Sequence, residues 1–171
     1  MKKAIALFAL LALMIGTSFE AGAQTQKIGY IDFNVLIQNM PGIDTVKTTL
    51  QNYQKSLTDQ MDQMRTELEN KYLDYQSQSA TMSDLIKQTK EKELTDLQAR
   101  IDAFQQQAQT DLQTKQESLL KPIIDKARNA VKEVAKENKY SYILNSIEDV
   151  VLFAEPTDDV MPLVKKKLGI L

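Results

Sequence analysis

The side chains of this 171-residue chain that could do chemistry are carboxylates and cations, 23 Asp and Glu against 21 Lys and Arg, with no His, Cys or Trp. Histidine is the usual general base near neutral pH, cysteine is the thiol nucleophile, and both are common zinc ligands. What remains is acid/base work by paired carboxylates. Each Asp or Glu, however, sits among lysines at helical spacing, the pattern of a solvated charged face. The five glycines form no Gly-rich phosphate loop. The expectation is therefore no enzyme, no cofactor and no metal.

The charges are also well mixed. Lys165-Lys166-Lys167 is the one dense basic run, and it falls in the last turn of an expected terminal helix, where cations favour the macrodipole. Asp158-Asp159 opens the same helix for the mirror reason. Nucleic acid and anionic lipid bind clustered basic surfaces that displace counterions, and this chain offers no such surface.

The elements that carry these charges show in the apolar spacing. Val46, Leu50, Tyr53, Leu57, Met61, Met64, Leu68, Tyr72 and Tyr75 follow a 4-3-4 pattern repeating every eleven residues. Such a repeat corresponds to about 3.67 residues per turn, so the stripe stays on one side of a nearly straight helix. Leu97, Ile101, Phe104, Ala108, Leu112, Leu119, Ile123, Ala130 and Val134 keep similar spacing, with Lys115 polar where the repeat asks for an apolar residue. The two stripes predict an antiparallel helical hairpin. Its first arm runs from an N-cap at Asp44 to Ala80 and reaches ~55 Å, its tip lies near 77–83, and its return arm begins at Ser83 with Asp84 in the first turn. Gln105-Gln106-Gln107 continues the helical period as an exposed face.

Pro122 falls inside the return helix, where it removes one backbone bond and predicts a hinge or a bend. Lys27 to Phe33 reads as a strand and Asn34 to Asn39 as a short helix stopped at Met40-Pro41-Gly42. The return helix should close at Glu137-Asn138-Lys139, with Asn138 left-handed. Tyr140 to Leu144 and Val150 to Ala154 then read as a β-hairpin turning at Asn145 to Asp149. Asp159 is the expected N-cap of the last helix, with Pro162 in its first turn.

Sheets this small are marginal alone. Ile28, Tyr30, Phe33, Tyr142, Leu144, Val151 and Phe153 are therefore expected to be buried between copies of the chain. The fold class is α+β, mostly α: a long antiparallel helical hairpin projecting from a small β body shared between subunits. Residues 24–43 and 122–171 make the body, and 44–121 make the arm. Ile28, Tyr30, Tyr142, Leu144, Val151 and Phe153 form the expected oligomer core. Away from the seam the arms are polar, so Leu73, Met82 and Leu85 are the candidate contacts for a partner without a fixed shape.

Met1-Lys2-Lys3, the apolar run Ala4 to Ile15 and Ala21-Gly22-Ala23 read as a secretory signal peptide, residues 1–23, cut after Ala23. No cysteine stands at the cut, which excludes a lipoprotein anchor. Taking away Lys2, Lys3 and Glu20 leaves 19 basic and 22 acidic side chains, a net charge of minus three. Without cysteine the exported chain forms no disulfide, and stability comes from packing.

The run Lys27-Ile28-Gly29-Tyr30-Ile31-Asp32, the hairpin, the stretch Val134-Ala135-Lys136-Glu137-Asn138-Lys139-Tyr140-Ser141-Tyr142-Ile143-Leu144 and the closing Asp158-Asp159-Val160 together resemble the Skp/OmpH family of periplasmic chaperones. The resemblance covers essentially the whole exported chain. It implies a homotrimer with an intersubunit β-barrel body and three arms around a cavity. It also implies an ATP-independent holdase that keeps unfolded outer-membrane β-barrel proteins soluble in the periplasm. Two departures stand out: Asn138 occupies a place where the family often has Gly, and this chain is slightly acidic where well-known members are strongly basic. No lipopolysaccharide- or membrane-contacting residue is carried over for that reason. The competing reading is an envelope spacer or adaptor that uses a rigid coiled-coil hairpin without chaperone activity.

Overall fold

The structure is a computed structural model that describes residues 26–147 and 150–170. The expected signal peptide and the tip of the expected turn at Glu148-Asp149 lie outside the described residues. The chain runs through strand β1 (Ile28–Ile31), helix α1 (Phe33–Gln38), helix α2 (Ile43–Gln78), a 3-10 turn (Ser79–Thr81) and helix α3 (Asp84–Glu137). Strand β2 (Tyr142–Asn145), a second 3-10 turn (Pro156–Asp158) and helix α4 (Met161–Leu168) complete it. The architecture is mostly helical with a small sheet.

The hairpin forms as the stripes predict. α2 has 36 residues and α3 has 54, or ~54 Å and ~81 Å at the standard rise. Two interactions fix the antiparallel register: the Tyr75 hydroxyl donates to Glu91 near the tip, and the Lys115 ammonium lies 5.8 Å from the centre of the Tyr53 ring lower down. The second answers the polar break in the return stripe, since an aromatic face attracts the cation there. Leu97, Ile101 and Ala108 are buried in the seam, whereas Leu57, Met61, Met64 and Leu68 are half-buried.

The lower part of the return stripe has a different use. Ala130 and Val134, with Ala127, pack into a cluster with Ile31, Leu36, Met40, Val160 and Val164. The stripe therefore closes the arm above and supplies the floor of the body below. Phe33, expected between copies, packs against this internal cluster instead.

β1 and β2 are parallel, with Ile28 opposite Tyr142 and Tyr30 opposite Leu144. This corrects the expected β-hairpin: β2 takes its partner from the other end of the chain, and Val150 to Ala154 is not a strand. The reason is the ladder. β1 already satisfies one edge of β2, and no described segment pairs with the other. On its far side β1 bridges to Asp159, and Val160 N–H donates to the Tyr30 carbonyl at 3.0 Å. Gly29 lies between these neighbours, where a Cβ would stand 2.8 Å from Val160 Cγ1 and 3.0 Å from the Tyr140 ring.

Several helix ends differ from expectation by one or two residues. Asp32 caps α1, its carboxylate accepting from Val35 N–H at 2.9 Å. Gly42, at φ 92°, caps α2 and leaves Asp44 in the first turn, because Ile43 must enter the helix to be buried. At the end of α3, Asn138 stays right-handed while Lys139 takes φ 57°. The Asn138 side chain donates to the Val134 carbonyl, and Tyr140 and Lys139 N–H close the last turn onto Ala135 and Lys136, a Schellman arrangement displaced by one residue. Lys27 holds the corner: its ammonium donates to the Asn138 carbonyl at 3.3 Å and lies 4.0 Å from the Tyr140 ring centre. Asp159 precedes the N-cap Val160 of α4, yet its carboxylate still accepts from Met161 N–H at 2.8 Å.

Candidate functional site

The sheet has two faces of opposite fate. Strand alternation turns Gly29, Ile31 and Ile143 toward the helices, and Ile28, Tyr30, Tyr142 and Leu144 to the other side. That second face is the one the sequence nominated as an oligomer core. In the single chain Tyr142 is 56 % exposed, Ile28 and Leu144 are nearly half exposed, and Tyr30 is half-buried. Beyond β2 in the chain further apolar side chains are exposed. Phe153 is 80 % and Leu152 88 % exposed, while Val151 is half-buried.

Sequence reasoning missed Leu152, Val150, Ile147 and Val35, all exposed. The signal was present in Val150-Val151-Leu152-Phe153, an unbroken apolar run. Reading it as an alternating strand assigned half of it to solvent. An apolar surface of this extent on a chain of otherwise charged exterior marks a contact surface.

The tip is more dispersed. Leu85 is 75 % exposed and Leu73 about half, while Met82 is half-buried in the connection. With Tyr75 opposite Glu91, Leu73 lies roughly two helical turns below Leu85. The three candidates therefore do not form one patch. Ile86 and Tyr72 are also exposed, the first overlooked and the second assigned to the seam, where the repeat had placed it.

Pro122 is exposed, and α3 continues through it as helix. Beside it Lys121 donates to Asp125 at 2.9 Å. This bond holds the Asp125 carboxyl below its ordinary range, helped by the nearby charges of Lys121, Arg128 and Lys132. The terminal basic run is partly engaged: Lys167 contacts Glu137 at 2.6 Å and Glu133 at 3.0 Å. Hydrogen bonds to Glu137 and then Glu133 push its ammonium above its ordinary value. Lys167 thus ties α4 to α3 while all three lysines sit in the last turn of α4.

Among the described residues no group of three or more acidic or thiol side chains is arranged to hold a metal ion. No described helix is long and apolar enough to cross a membrane.

The protein is thus a long helical hairpin raised on a small body with an open apolar sheet face. The family model for outer membrane protein (OmpH-like) matches residues 27–168, and the chain belongs to this Skp/OmpH family. Chaperone protein Skp of Yersinia enterocolitica is 26% identical over 165 residues, covering 93% of this chain and 97% of the relative. Chaperone protein Skp of Photorhabdus luminescens is 26% identical over 136 residues, covering 77% and 81%. Among solved structures, an OmpH-like chain of Caulobacter crescentus CB15 matches with a TM-score of 0.65 over 89% of this chain and 90% of that one. At 17% identity that likeness shows the fold.

Proposed function

We propose that this protein is an ATP-independent periplasmic holdase, a homotrimer whose arms surround unfolded outer-membrane β-barrel proteins and keep them from aggregating. The observation that carries the reading is the open sheet face of Ile28, Tyr142 and Leu144, together with the exposed Leu152 and Phe153. Burying an apolar side chain of this size is worth about 1.5–3 kcal/mol, so such a surface favours assembly of copies around it. Assembly through the body gathers the arms side by side with their polar faces free. Mostly polar arm faces suit a client without fixed shape, since they offer many weak contacts. The relatives named chaperone support the same reading.

The test is dilution of a urea-unfolded outer-membrane barrel into buffer with and without the purified protein. The expected result is suppressed light scattering at a trimer excess, and unchanged aggregation overturns the proposal. Replacing Leu73, Met82 and Leu85 with Ser together should weaken client retention without loss of fold, and unaltered retention moves the contacts elsewhere. Recovery of a folded envelope complex in place of unfolded clients would favour the spacer reading.

A further inference from the structure

A groove of about 820 Å³ crosses one face of the hairpin between α2 and α3 below the tip. Its apolar lining includes Leu68, Tyr72 and Tyr75 from α2 and Leu94 from α3. Tyr72 is the informative member: the eleven-residue repeat puts it in the seam, yet it is 53 % exposed and faces the groove. Tyr75 is tied by its hydroxyl to Glu91, so one of the two rings is held in place.

The charges around this lining are one-sided. Glu69, Glu91 and Asp102 border it against one cation, Arg65, and the Arg65 guanidinium is 4.0 Å from Asp62. Elsewhere on the arms Asp59 is neutralised by Lys55, Glu67 by Lys71, Glu93 by Lys90 and Asp96 by Lys92, while Asp74, Asp84, Asp111 and Glu117 enter no ion pair among the described residues. Glu69, Glu91 and Asp102 enter no ion pair among the described residues. Tyrosine faces and unneutralised carboxylates both attract cations, while the Leu68 and Leu94 side chains favour an apolar group.

We infer that this groove takes a short segment of unfolded polypeptide in which an aromatic side chain is flanked by Lys or Arg. The inference rests on the holdase reading and names the client chemistry for one face of the arm. The volume falls in the range of sites that hold a small ligand or a few side chains. Outer-membrane barrels carry girdles of aromatic residues at both membrane interfaces, so an unfolded barrel supplies the aromatic part. The slight excess of acidic side chains in the whole chain acts in the same direction.

The experiment uses the purified protein and three fluorescent soluble peptides with central Lys-Trp-Lys, Glu-Trp-Glu or Lys-Ser-Lys, titrated by anisotropy at low salt. The Lys-Trp-Lys peptide should bind about tenfold more tightly than either other. Tyr72→Ser should abolish that preference, and Glu69→Lys with Asp102→Lys should transfer it to Glu-Trp-Glu. All three positions are exposed, and melting curves check that the variants fold. Equal binding of the three peptides, or a preference that survives both variants, overturns the inference. A lower oligomer mass for Tyr72→Ser also overturns it, by assigning the groove to a second copy. The barrel-dilution assay runs alongside: suppressed aggregation without peptide discrimination defeats the groove alone. Discrimination without suppression defeats the holdase reading and leaves the groove chemistry standing.

Discussion

Gly29 is the residue on which the sheet's close packing turns. Its Cα faces Val160 and Tyr140 at distances that leave no place for a methyl group, and Val160 is itself fully buried. Gly29→Ala should therefore destabilise the protein by about 1–3 kcal/mol, the usual cost of overpacking, read as a lower urea midpoint with unchanged slope. Tyr75 carries a second residue-scale prediction. Its hydrogen bond to Glu91, with partial burial and the Glu91 charge, raises the phenol above its ordinary 10.0. A raised pKa means stability that is present below pH 10.0 and lost as pH climbs through the higher folded value. The wild type should thus lose stability in that alkaline window more steeply than Tyr75→Phe, and parallel curves would refute the link. The helix ends show what local sequence leaves open. Asn138 and Asp44 are reasonable terminal residues by type, yet the turns fall at Lys139 and Gly42, because Lys27 and Tyr140 anchor one corner and the burial of Ile43 decides the other.

Among the elements, the hairpin was the most legible, since a stripe sustained over many turns fixes helix type and partner together. It erred where geometry departs from period: Tyr72, placed in the seam by the repeat, is half exposed below the tip, whereas Ala130 and Val134 fall in the body that residues 122–171 were expected to form. Two of the three expected strands form, Val150 to Ala154 does not, and the pairing was not legible. Periodicity says that Tyr140 to Leu144 is extended, whereas the partner across the ladder is chosen by α3, whose return brings β2 alongside β1. Pro122 belongs to this scale because its effect is on a whole arm. Proline has no N–H to donate back to the Ser118 carbonyl, and interior prolines cost a helix roughly 3 kcal/mol. Pro122→Ala should raise stability by up to that amount and, if the residue is a hinge, narrow the spread of arm positions in small-angle scattering. A more stable variant with an identical scattering profile would make Pro122 a static bend.

At the scale of the whole molecule the protomer carries two kinds of surface that solve different problems. The internal cluster around Leu36 and Val134 is closed and makes the body fold, while the opposite sheet face and Phe153 remain in water. The sequence could nominate the outer residues from their apolar alternation, but it could not separate them from Phe33, because which face meets α3 is a property of the assembled fold. The separation gives the oligomer prediction its sharpness. Tyr142 and Phe153 lie outside the internal cluster, so Tyr142→Asp and Phe153→Asp should leave the protomer's helical signal and body packing largely intact. Placed in a shared core, each would bury a carboxylate without a partner, a cost of several kcal/mol repeated in every copy. The oligomer should fall to monomer in multi-angle light scattering for either variant while circular dichroism stays helical. A trimer that survives both substitutions would place the shared surface elsewhere. Collapse of the helical signal with the mass would show instead that the body cannot fold before it assembles, and the more exposed position, Phe153, is the one expected to keep the two events apart.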